Sequence, residues 1–106
     1  MNTATTATGS YMSHEMQLAT LLGIKSLSND GFNVTTIADI LEGKVKDADE
    51  RGGWSKAKAN LDQGAPFIVS LIGTGLFSSP VERIFAIIER PDRAIDAAIE
   101  LLKAIR

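Results

Sequence analysis

A mostly helical α+β fold is the class this sequence predicts, and three observations predict it. Four segments carry apolar residues at helical spacing. Two short runs, 67–72 and 83–89, are dense in residues that favour strands and are bounded by proline or glycine. The chain has 106 residues, 44% hydrophobic and 23% charged, which is enough for one core and not for two. The expected organisation is a flexible polar tail over 1–12 and a single domain over 13–106.

The tail, Met1 to Ser10, is threonine-rich and has no positive start and no apolar block, so it does not read as a secretory signal. The first helix is expected from Ser13, its cap, to Asn29, with Met16, Ala19, Leu22 and Leu27 as the apolar stripe. Asn29-Asp30-Gly31 ends it, with Gly31 able to take the left-handed conformation. Thr35 is placed to cap a second helix, in which Ile37, Ile40 and Leu41 share one face and Gly43 is the stop. Residues 44–53, KVKDADERGG, read as a solvated connector. A third helix is expected over Trp54–Gln63. Trp54, Ala57 and Leu61 form its buried edge, and Ser55, Lys56, Ala59 and Gln63 point away.

Phe67–Ile72 and Arg83–Glu89 are expected to pair as a β-hairpin across the loop Gly73–Pro80. Two helices are the rival reading, since Ser79-Pro80-Val81-Glu82 matches a capping box with proline in the first turn. Asp92 is placed to cap a last helix running to the C-terminus. That helix is apolar around more than half its circumference. Ile95, Ala98, Leu102 and Ile105 fall at the 3-4-3 spacing of a helix–helix seam, which points to a homodimer. Enclosure within its own domain is the alternative.

This order of elements resembles a winged helix-turn-helix domain. The likeness rests on Asn33-Val34-Thr35-Thr36-Ile37-Ala38-Asp39-Ile40-Leu41-Glu42-Gly43 as the second helix, Trp54–Gly64 in the place of the recognition helix and Gly73–Pro80 in the place of the wing. It covers about residues 14–105. The connector, at about ten residues, is longer than the three or four of the usual turn. The resemblance implies a three-helix core, a β-hairpin wing and a C-terminal dimerisation helix. It also implies a small dimeric transcription regulator that binds double-stranded DNA.

Charge bears on that expectation. The net charge is −2, but residues 44–58 carry a surplus of two positive charges and the flanking segments are both negative. Under the DNA-binding reading Lys44, Lys46, Arg51, Thr74, Ser78, Ser79 and Arg83 contact phosphates. Ser55, Lys56, Asn60 and Gln63 reach base edges, and Lys58 lies on the flank of the same helix. The alternative is a small α-rich oligomeric assembly or adaptor protein with no nucleic-acid role, in which residues 67–89 are helical.

Other chemistries find little support. There is no cysteine and only one histidine, His14, which has no acidic or histidine neighbour at ligand spacing. Ser55-Lys56-Ala57-Lys58 matches a Ser-x-x-Lys nucleophile pattern without its companion motifs. Gly73-Thr74-Gly75 lacks the third glycine and following helix of a dinucleotide loop. No enzyme activity, cofactor or metal is expected. The longest apolar-rich run, Ala65–Phe77, is too short and interrupted to span a bilayer, which takes about 20 apolar residues. A cytoplasmic protein is the expectation.

Overall fold

The computed structural model describes residues 12–104. Among them 73% are helical and none is in a strand. Six helices follow in order: α1 (His14–Asn29), α2 (Val34–Gly43), α3 (Ala48–Asp62), α4 (Phe67–Ser70), α5 (Ser79–Ile87) and α6 (Pro91–Ala104). The expected α+β class is therefore corrected to all-α, and the winged-helix arrangement falls with its hairpin. Of the expected tail, only Met12 lies within the described residues, and it belongs to the core.

α1 begins as its sequence predicts, with the Ser13 hydroxyl accepting from the Met16 N–H at 3.1 Å. It ends in a Schellman turn. Gly31 takes φ +93°, the Gly31 N–H donates to Ser28 O, and the Phe32 N–H donates to Leu27 O. The buried face is rotated from the expected stripe: Gln17, Thr20, Leu21 and Ile24 point inward, while Met16 and Leu22 are exposed. Two polar residues tolerate burial here because their hydrogen bonds are met inside. Gln17 donates to Met12 O at 3.1 Å and accepts from the Ser78 N–H at 3.1 Å, and the Thr20 hydroxyl points at Met12 Sδ.

α2 is capped by Asn33, not Thr35; the Asn33 Oδ1 accepts from the Thr36 N–H at 2.9 Å. The connector then shrinks to Lys44–Asp47, and residues 48–53 join α3. Asp47 caps that helix by accepting from the Glu50 N–H at 2.9 Å, and Asp49 and Glu50 complement the positive end of the helix dipole. The glycine pair does not break the helix. Gly53 is buried against the 73–78 loop, where a Cβ would lie 2.8 Å from Leu76 Cγ and 3.1 Å from Thr74 O.

Residues 67–89 form two helices where a hairpin was expected. Val81 and Phe85 are buried and Ile84 and Ile88 half-buried, a 3–4 spacing that one helix face satisfies and one strand face does not. Phe85 meets Phe77 edge to face, with ring centroids 5.4 Å apart. Burial of this stripe outweighs the β-propensity of its residues. The helix starts after Ser78, and the Glu82 carboxylate accepts from the Gly73 N–H at 2.8 Å.

α6 starts at Pro91, one residue ahead of the expected cap Asp92, which sits in its first turn. It packs against α1, α5 and α4, and α2 and α3 complete the other side of the core. Ala94, Ile95, Ala98, Ile99 and Leu102 are all buried within the single chain. The surplus apolar surface of α6 is thus used inside the domain. No described helix is long and apolar enough to cross a membrane.

Candidate interaction surface

Several of the side chains expected to face DNA make contacts within the fold. Lys58 on α3 is held between two carboxylates of α2, at 2.8 Å from Asp39 Oδ1 and 2.8 Å from Glu42 Oε1. Asp39 first, and then Glu42, hold its ammonium above the ordinary lysine value. Ser55 donates to the same Glu42 at 3.3 Å. Asn60 donates to Ser70 O at 3.0 Å and so ties α3 to α4. Arg51 donates to Val45 O at 2.7 Å. Four of the predicted contacts therefore serve the fold. Lys56 and Gln63 remain exposed on α3.

The loop in the place of the wing is turned inward. Thr74, Leu76, Phe77 and Ser78 are buried, and the Thr74 hydroxyl donates to Leu71 O at 2.8 Å. Ser79 and Arg83 are exposed at the start of α5. Three residues of the predicted dimer seam, Ile95, Ala98 and Leu102, lie in the core, and the fourth, Ile105, lies outside the described residues. His14 bonds through Nε2 to Leu102 O, joining the start of α1 to the end of α6. Among the described residues no group of three His, Cys, Asp or Glu side chains is placed to hold a metal ion.

What the structure brings together instead is a groove between α1, the α2–α3 turn and the start of α3. Its volume is about 470 Å³. Met16, Ala19 and Gly23 form one wall along α1, Leu41 and Val45 the other, and Trp54 and Thr20 the floor. Met16 is 47% exposed, and Leu22, one turn from Ala19 on the same helix, is 45% exposed. Met16 lines the groove, and a large apolar side chain at that exposure beside an apolar trough marks a candidate interaction surface. Lys44, Lys46 and Glu50 line the same groove. Burial first, and then the neighbouring Asp47, pushes the Glu50 carboxyl above its ordinary value.

A second groove, of about 460 Å³, opens where α1 ends and α2 and α6 begin. Ile24, Val34, Ile37, Phe67 and Ile95 line it, and the Lys25–Asp96 pair, at 2.8 Å, stands at its edge. Its edge charges Lys25 and Asp96 are paired there, whereas Lys44 and Lys46 of the first groove form no ion pair among the described residues.

Sequence reasoning missed the first groove because it placed Met16 and Leu22 on the buried stripe. The signal that could have found it is the pair Gln17 and Thr20: their spacing with Leu21 and Ile24 offers an alternative inward face. No family model matches the chain, and no curated protein or solved structure is similar to it at a significant level.

Proposed function

We propose that this protein is a small, non-catalytic helical adaptor that docks an apolar helix face of a partner in the groove between α1 and the α2–α3 turn. The observation that carries this reading is the exposed apolar wall of α1, Met16, Ala19 and Gly23, set opposite Leu41 and Val45 over a Trp54 floor. A helix laid in such a groove anchors through residues at i, i+3, i+4 and i+7. The core is closed without help from a second chain, so this surface is spare rather than structural.

Gly23 gives the test. A Cβ there would meet only Leu41 Cδ2, at 3.9 Å, so substitution at this position is sterically tolerated while a longer side chain fills the groove. Selection from a displayed random-peptide library should enrich peptides with apolar residues at helical spacing. Those peptides should lose binding to Gly23→Leu. No enrichment, or equal binding to the variant, contradicts the adaptor reading.

One observation favours a second reading, nucleic-acid binding. The α2–α3 turn is Lys44–Asp47, the length usual in a helix-turn-helix, and Lys44, Lys46 and Lys56 are exposed near it. Against it, the end of α3 that would enter a groove carries Asp47, Asp49 and Glu50. Fluorescence anisotropy against mixed-sequence duplex at two salt concentrations separates the readings. Binding that weakens steeply with salt and is lost in Lys44→Glu, Lys46→Glu supports the second; no binding at low salt removes it.

A further inference from the structure

The charges around the α1 groove are unequally compensated. Asp39 and Glu42, the acids of α2 nearest the turn, are taken up by Lys58 at 2.8 Å each. The Asp47 carboxylate accepts from the Glu50 N–H and keeps its charge, but it and Asp49 lie outside the groove lining. Lys44 and Lys46 are exposed, line the groove and form no ion pair among the described residues. Glu50 is the one carboxylate in the lining, and it is partly buried. The lining thus carries two ammonium groups against one carboxylate. The groove therefore presents an apolar trough with a positive solvent edge.

We propose that the helix docked in this groove is acidic on the flank that meets Lys44 and Lys46, a partner segment with an apolar stripe and adjoining aspartate or glutamate. This rests on the adaptor reading above and names the partner's chemistry. Apolar anchors supply the contact area, and the two ammonium groups select the partner and orient it, since charge at an interface edge acts on specificity and association rate more than on raw affinity. A neutral helix fills the same trough and leaves both lysines without a counter-charge. A second copy of this chain is disfavoured, because the exposed charged residues beside Met16 and Leu22 on its α1 are of both signs, Glu15 and Lys25.

Two synthetic amphipathic helical peptides test this on the full chain. They share one leucine face and differ only in flanking glutamate or glutamine. The glutamate peptide should bind about five- to tenfold more tightly at low salt, the scale of two surface ion pairs, and the advantage should shrink at high salt. In K44E/K46E the preference should invert, so that a lysine-flanked version of the peptide binds best. Equal binding of the glutamate and glutamine peptides, lost in Gly23→Leu, overturns the acidic-partner proposal and leaves the adaptor reading standing. Failure of both peptides to bind overturns the adaptor reading and the proposal with it. Self-association of the free protein that Gly23→Leu abolishes assigns the groove to a second copy and likewise overturns the proposal.

Discussion

Gly52 and Gly53 are adjacent in sequence, and the structure asks opposite things of them. A Cβ on Gly52 meets nothing within 4 Å, so alanine there relieves the entropy cost of a helical glycine. Gly52→Ala should raise stability by about 0.5–1 kcal/mol. A Cβ on Gly53 runs into Leu76 and Thr74 O, so Gly53→Ala should lower stability by about 1–3 kcal/mol. Chemical denaturation of the two variants measures both signs. Equal effects would show that α3 does not press on the 73–78 loop.

Lys58 carries a pH signature of its own. Its folded ammonium is held above the ordinary value by Asp39 and Glu42, so the folded chain keeps this proton longer than the unfolded chain. The contribution is complete below the ordinary lysine value, about 10.4, and drains away as pH rises through the higher folded value. Lys58→Met should therefore melt below the parent at neutral pH, and the gap should narrow above that range. A gap that stays constant into the alkaline limb would contradict the pairing. Neither ion pair is legible in sequence, because Lys58 lies 16 and 19 positions from its partners and nothing local points to them.

At the scale of elements, helix ends and faces were each legible only in part: the starts of α2, α3 and α6 differ from those expected, whereas the faces of α2 and α3 match. Ser13 and Gly31 bound α1 as their chemistry dictates, and Gly64, at φ +96°, closes α3 in the same kind of Schellman turn. Where one residue alone offers a cap it is read locally, but Asn33 and Thr35 both offered one for α2 and the local sequence did not choose between them. Faces are set by what packs against them. Gln17 and Thr20 point inward only because Met12 and Ser78 meet their hydrogen-bonding groups. The hairpin expectation failed for a related reason. Ile and Val in 67–89 favour strands by local propensity, while the stripe Val81, Ile84, Phe85 and Ile88 favours a helix, and the neighbouring core decides between them.

The inward loop between α4 and α5 yields the element-scale prediction. Phe77 is 1% exposed and stacks edge to face on Phe85. Phe77→Ala should cost about 3–5 kcal/mol, whereas an exposed loop tip would lose less than about 0.5 kcal/mol. Equilibrium unfolding in urea distinguishes the two. Gln17→Leu belongs beside it: removing the side chain that joins Met12 O to the Ser78 N–H should cost about 1–3 kcal/mol.

On the scale of the whole molecule, the apolar surplus of α6 is the feature that the sequence alone reads ambiguously. A helix apolar around half its girth is consistent with a partner chain or with enclosure. Composition cannot choose, because the choice depends on whether enough other helices exist to surround it. Once 67–89 supplies α4 and α5, α6 has neighbours on three sides, and the core of Leu21, Ile24, Trp54, Leu76, Phe77, Ala98 and Leu102 closes within one chain. Exposed large apolar side chains are then found on other elements, Met16 and Leu22 of α1 among them. The helical reading of 67–89 thus settles where the surface of α6 goes, while the α1 groove is lined only by α1, α2, the α2–α3 turn and α3.

Backbone chemical shifts and amide exchange across residues 67–89 test that enclosure of α6 most directly. Helical shifts over Phe67–Ser70 and Ser79–Ile87, with slow exchange at Leu76 and Phe77, are what this architecture requires. Extended shifts with cross-strand contacts between 67–72 and 83–89, or fast exchange at Phe77, would contradict it.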